Sequence, residues 1–448
     1  MTRGSVRGHV VRMMTFMLAG LVIQTLYSLV DIYWVGRLGK EAVAAVAMST
    51  NLMCVSMGVM QMFSVGCVAL VSQAAGRKDH EEVQRLFNQA QSLSTFAGVV
   101  FLAVCLALRH TYAERLAGDP TTARLAESFL AAFIPALGLQ FLAVGLGAAL
   151  RGIGDMRPGL VAQTASVLLN MVVAPFLVFG WIPGIPPLGV AGAALASLIA
   201  TAAAVLALVV YLRSGRTFLR LRFAYWVPDF PLWGRMLAIG LPAGAEFLLL
   251  SIIAGVVYGV TRQFGPEAQA GYGIGSRVMQ ACFMPAVALS FSVAAVVGQN
   301  VGAKDHARVR ETVWESAKLT VAMMLVVSLA CYFAPEQLVH AFSSDPTVVA
   351  EGADYLRTAA FVLVPGALVF VAAGIFQGLG NTWPSLAASA VRALAFVVPV
   401  VWWSRQASFY MHGIWRVMVV TNVVQFGVCA LLLRRELARK APRTTAAS

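Results

Sequence analysis

Apolar residues gather along this chain into twelve runs, separated by short polar clusters that carry nearly all of its charge. The runs fall at roughly 11–36, 44–72, 90–109, 124–150, 158–180, 190–212, 234–262, 272–300, 316–334, 355–377, 384–404 and 412–433. About 20 apolar residues wound as an α-helix cross a hydrocarbon core ~30 Å thick. The pattern therefore predicts an all-α integral membrane protein with twelve transmembrane helices.

The pattern is also written twice, 226 residues apart. VSQAAGRKDHEEV near position 71 returns as VGQNVGAKDHARV near 297. The same offset pairs Gly39 with Gly265, Glu41 with Glu267, Gly152 with Gly378, Gly154 with Gly380 and Pro158 with Pro384. Chance does not hold one register over so long a stretch, so the chain is a duplicated unit. Six spans per half is an even number, so both halves enter the bilayer from the same side. The repeat is then parallel, two six-helix lobes about an axis along the membrane normal. Expected boundaries are an N-terminal lobe at 1–212, a cytoplasmic amphipathic linker at 213–235, a C-terminal lobe at 236–434 and a basic cytoplasmic tail at 435–448. In an apolar chain such a duplication suggests a transporter, because a site between like halves can open alternately to either side.

Composition agrees on the solvent. Hydrophobic residues make up 59% of the chain and charged ones 12%, against roughly 45–50% and 25% in soluble domains. With the N-terminus inside, 22 Lys and Arg fall on the cytoplasmic side and 8 on the other, the bias of the positive-inside rule. The net charge of +13 thus reports topology in a bacterial-type inner (plasma) membrane with both termini cytoplasmic. It is not the footprint of a nucleic-acid partner. In the linker, Arg213, Arg216, Arg220 and Arg222 alternate with Phe218, Leu219, Leu221 and Phe223. That suits either an amphipathic helix on an anionic leaflet or a plain basic loop. The six cysteines lie within apolar runs and never at metal-ligand spacing. No D-D-x-x-D, H-E-x-x-H or G-x-x-x-x-G-K-[ST] motif occurs, so neither an enzyme, a metal site nor a nucleotide-driven pump is expected. The expectation is no cofactor beyond a coupling ion, and a monomer.

Carboxylates inside spans are the first candidates for chemistry, since each costs several kcal/mol there, ~2.5 even on the lenient insertion scale. Asp31 sits late in span 1. Ser28, Tyr27 and Gln24 precede it by three, four and seven residues and share its helix face. In span 5, Gln163, Ser166 and Asn170 form a second polar stripe. Two such stripes in one lobe build a small hydrated chamber around a carboxylate, suited to exchanging a proton for a cation. Glu246, four residues past Pro242 in span 7, is the alternative acid, in the C-terminal lobe. Arg277 and Arg392 read as long side chains reaching toward an interface. His80 and His306, in the repeated Lys-Asp-His, read as helix-start structure.

Several of these stretches resemble the multidrug and toxic compound extrusion (MATE) family. They are LYSLVDIYWVGRLG, the V-x-Q-x-x-G-x-K-D-H loops after spans 2 and 8, the turns LRGIGDMRPG and FQGLGNTWPS, and PLGVAGAALAS entering span 6. The resemblance covers essentially the whole chain. It implies two six-helix lobes in a V and an antiporter expelling amphipathic organic cations against H⁺ or Na⁺. On that resemblance Asp31 matches the family's first-span acid, Asn170 the span 5 asparagine, and Ser197 a span 6 threonine near that acid. Three positions depart from it: Phe16 stands where the family often has a proline, and Ala174 and Gly366 stand where branches carry further acids. One acid rather than two suits H⁺ coupling through Asp31 better than Na⁺. A lipid-linked-precursor flippase of the same superfamily shares the 6+6 plan and stays open as the alternative.

Overall fold

A computed structural model of the protein describes residues 2–181, 186–406 and 409–440. Twelve of its helices are long and apolar enough to cross a membrane. The first six are α1 (Val6–Gly36), α2 (Lys40–Gly76), α3 (His80–Leu116), α4 (Pro120–Ile153), α5 (Arg157–Phe179) and α6 (Val190–Arg213). The second half holds α7 (Phe230–Thr261), α8 (Pro266–Gly302), α9 (His306–Phe333), the short α10 (Pro335–His340), α11 (Pro346–Leu379), α12 (Trp383–Trp403) and α13 (Met411–Lys440). No strand occurs among the described residues. The protein is an all-α, multi-pass membrane protein. Of the expected basic tail, residues 435–440 continue α13 and the remainder lies outside the described residues.

The sequence repeat proves to be turn machinery. Lys78 and Lys304 are the only described non-glycine residues with positive φ, at 59° and 58°. Each reverses the chain after a helix, and the following aspartate caps the next one: Asp79 Oδ1 accepts from Glu82 N and Asp305 Oδ1 from Arg308 N, both at 3.0 Å. His80 and His306 are the first residues of α3 and α9. Gly154 and Gly380 close α4 and α11 in the left-handed region, at φ 90° and 77°, where a Cβ would be strained. Asp119 and Asp345 cap the starts of α4 and α11. The Thr122 hydroxyl and backbone amide hold the Asp119 carboxyl below the usual carboxylate range.

The chain divides into two compact units. One comprises Thr15–Gly240, the other the residues up to Met14 together with those from Leu241 onward. The breaks fall inside α1 and α7, and they are themselves 226 residues apart. In the N-terminal unit α4 packs against α2, α3 and α6; in the C-terminal unit α11, its repeat partner, packs against α8, α9 and α13. The start of α7 belongs with α2 because both helices are bare where they cross. A Cβ on Gly66 would collide with the Met236 carbonyl, and one on Gly240 with that of Met62. The C-terminal core gathers around Trp415, Tyr355, Phe396 and Leu363.

Of the two forms its alternation left open, amphipathic helix or basic loop, the linker takes the loop. Between α6 and α7 the only helical piece is one 3-10 turn, Phe223–Tyr225. The segment instead lies along α3, whose Gln84, Asn88, Gln89 and Ser92 form a buried polar face. Asn88 Oδ1 accepts from Arg222 N at 2.8 Å, and Gln89 Nε2 donates to the carbonyls of Tyr225 and Val227 at 2.6 and 2.7 Å. Ser92 Oγ donates to Trp226 O at 2.9 Å. With its backbone groups satisfied by side chains, the linker has no need of its own helical ladder. Arg85 fastens its end through Asp229 at 2.6 Å and holds that carboxyl below the usual range.

Candidate functional site

All eight candidate N-lobe residues lie on three helices of the N-terminal unit, and all but Ser28 lie on or beside the polar contacts between them. Gln24, Tyr27 and Asp31 recur along α1 at helical spacing, Gln163, Ser166 and Asn170 along α5, and Ser197 lies on α6. Gln163 Nε2 donates to Gln24 Oε1 at 3.0 Å, tying α5 to α1. Ser166 Oγ donates to the Ala200 carbonyl at 2.8 Å, tying α5 to α6. Further on, Ser197 Oγ sits at the centre of a chain. It lies 2.8 Å from Tyr27 Oη and 3.3 Å from Asn170 Nδ2, while its own hydroxyl reaches the Ala193 carbonyl at 3.2 Å. With that proton placed on Ala193, Tyr27 and Asn170 are the donors. Asn170 and Ser197 are buried.

Asp31 stands one helical turn beyond Tyr27 and within its electrostatic reach. Its Oδ1 is shut off from solvent and has no hydrogen-bond partner among the described residues. The same holds for Nε1 of Trp34, whose ring meets Phe179 and Trp181 edge-on at 6.0 and 6.4 Å. Arg37 is engaged on the rings of Tyr33 and Trp34, 4.7 and 5.6 Å from their centroids. Ser28 stands apart. It is exposed, and its hydroxyl donates to the Gln24 carbonyl of its own helix at 3.2 Å.

A carboxylate oxygen without a donor in such a setting is costly as a bare anion. No group of three or more His, Cys, Asp or Glu able to hold a metal occurs among the described residues.

In the C-terminal unit Glu246 is half-buried, with Oε1 shut off and unpartnered among the described residues. Its neighbour is Ser385 at the start of α12, whose Oγ is also unpartnered. Several polar residues here escaped sequence reasoning. Gln425 of α13 donates from Nε2 to Ser389 Oγ at 3.1 Å and accepts at Oε1 from Arg392 at 3.4 Å. Asn422 Oδ1 and Trp415 Nε1 are buried and unpartnered among the described residues. Arg392 lies nine residues into α12, about 14 Å along the helix, where it is half-buried and bonded to Gln425. The signal was present: Ser389 and Arg392 are the repeat partners of Gln163 and Ser166. Arg277, by contrast, is exposed.

Comparison with known proteins agrees with this architecture. The chain is 28% identical to the probable multidrug resistance protein YoeA of Bacillus subtilis, over 72% of this chain and 71% of that one. It is 25% identical to the probable multidrug resistance protein NorM of Thermotoga maritima, over 82% and 78%. A solved structure described as the outward-facing conformation of a multidrug resistance MATE family transporter of the MOP superfamily shares the fold. The TM-score is 0.90 at 22% identity, covering 98% of each chain. The MatE family profile matches twice, at residues 17–176 and 242–403, one match in each half of the repeat. By its duplicated six-helix plan and by both of those matches, the chain belongs to the MatE family of membrane transporters.

Proposed function

We propose that this protein is a secondary antiporter that exports amphipathic organic molecules, multidrug substrates among them, in exchange for H⁺ entering through Asp31. The carrying observation is the unpartnered Oδ1 of Asp31 beside the Tyr27–Ser197–Asn170 chain. A lone intramembrane carboxylate changes charge when it takes up a proton, and this alters its fit to surrounding polar groups. That difference between the two states drives alternating access, because a bound species moves an equilibrium only by its differential affinity. H⁺ is favoured over Na⁺ because Tyr27 and Ser197 are engaged with each other and leave Asp31 as the one charged oxygen ligand of the cluster. The names of the relatives favour export of small molecules over flipping of a lipid-linked precursor. The 22 to 8 split of basic residues supports an inner-membrane setting with both termini cytoplasmic.

The test is uptake of a fluorescent lipophilic cation into proteoliposomes, with proton and sodium gradients imposed separately. Uptake driven by the proton gradient alone, and lost in Asp31→Asn, is the expected result. Uptake driven by sodium alone would overturn the ion, and normal uptake by Asp31→Asn would overturn the residue.

A further inference from the structure

We propose that Arg392 of the C-terminal unit is a binding site for a carboxylate carried by the transported molecule. This deepens, and rests on, the exporter reading above.

A guanidinium presents five N–H donors and no acceptor. Arg392 donates one to Gln425 Oε1 at 3.4 Å, and its Nε is shut off from water without a partner among the described residues. No carboxylate among the described residues pairs with it, although the residue as a whole is only half-buried and so stays reachable. Glu246 is not its missing anion. The neighbour of Glu246 is Ser385, two turns and about 10 Å earlier along α12. A cation held inside a membrane protein without a counter-charge is costly, and it marks a substrate or ion path.

The surroundings are built to hold it there. Gln425 is fixed by Ser389 at 3.1 Å, so its oxygen steadies the guanidinium. On the aromatic cluster alongside, Trp415 stacks on Tyr272 at 5.4 Å and meets Tyr355 edge-on at 4.8 Å. Tyr355 lies within electrostatic reach of Arg392. Trp415 and Tyr355 are buried and wall this side of the site. The unmatched guanidinium donors call for a planar anion that only accepts. A carboxylate meets a guanidinium through two parallel hydrogen bonds, and one guanidinium balances one charge, which disfavours a pyrophosphate.

Rhodamine 6G and rhodamine 19 test this directly, being one dye as ethyl ester and as free carboxylic acid. Binding to the purified full chain is read by fluorescence anisotropy without any gradient. The expected result is an acid-over-ester preference of about tenfold or more in the unaltered protein, roughly what a bidentate charged pair supplies. Arg392→Met should bring that ratio close to one, and Arg392→Lys should keep part of it. Gln425→Ala removes the group that steadies the guanidinium and should lower it severalfold, which serves equally if Arg392→Met does not fold. Equal binding of both dyes by the unaltered protein, or a ratio untouched in Arg392→Met and Gln425→Ala, overturns the proposal. Uptake under a proton gradient is read separately. Acid preference without uptake of either dye leaves the Arg392 site standing and removes the exporter reading. Uptake of both dyes without acid preference does the reverse.

Discussion

Along α5, Gln163, Ser166 and Asn170 line one face; on α12, 226 positions later, stand Ser389, Arg392 and Phe396. On the partner helices the contrast is sharper. Gln24, Tyr27 and Asp31 of α1 correspond to Leu250, Ile253 and Val257 of α7, and Glu246 corresponds to Gly20. The two units thus share a scaffold but not a chemistry. One sets an acid beside neutral hydrogen-bonding groups, and the other sets a half-buried guanidinium two turns along α12 from the serine that neighbours an acid. Turn residues stay alike in both halves because a left-handed backbone or a helix start admits few side chains. A span face admits many, and each can be altered without unmaking the fold.

The widest difference should appear in transport. Asp31→Asn should lower gradient-driven uptake by about 50–100-fold, the upper range of a coupling free energy between sites. Glu246→Gln should lower it only severalfold; the opposite order would move coupling to the C-terminal unit.

A second asymmetry concerns the linker. Gln89→Leu strips hydrogen bonds from Trp233 Nε1 and from the carbonyls of Tyr225 and Val227. It should cost ~2–3 kcal/mol, as for buried groups left unpaired. Its repeat partner Glu315 pairs with the exposed Lys318 at 2.9 Å, so Glu315→Ala should cost under ~1 kcal/mol. Thermal unfolding of the two variants in one detergent measures the gap.

Where the halves are alike, effects should be alike. Gly154→Ala and Gly380→Ala should each cost ~1–2 kcal/mol, the penalty of a Cβ in the left-handed region. Unequal shifts of the thermal midpoint would mean that the shared turns are not equivalent.

The smallest effect should come from Asp229. Its folded-state carboxyl lies below the ordinary value because Arg85 donates to it. Its contribution is therefore complete above the unfolded pKa near ~4 and fades as pH falls through the lower folded value. Asp229→Asn should lower the midpoint slightly at pH 7 and flatten its decline in acid, so that the variant and the unaltered protein converge there.

Much of this could be read along the chain. Span number follows from apolar length, and the repeated Lys-Asp-His marked the starts of α3 and α9. The Asp31 stripe was visible because helical spacing alone puts Gln24 and Tyr27 on its face. Ser28 shows the limit, since the same spacing placed it there while the rotation of α1 turns it outward. Alternation in the linker left helix and loop both open, and the polar face of α3, which takes up its backbone, decides for the loop. For Arg392 the sequence suggested a long side chain but not its partner, Gln425, which only the packing of α12 on α13 supplies.

By itself, the sequence determined twelve spans, their duplication and the turns between them, since each depends on local length, local backbone conformation and transfer of side chains from water. Tertiary structure alone decided which polar groups meet. Tyr27 finds Ser197 across 170 residues, Gln84 and Asn88 find the linker, and Arg392 finds Gln425. Those encounters depend on how each helix is turned about its own axis, and packing against neighbouring helices sets that angle.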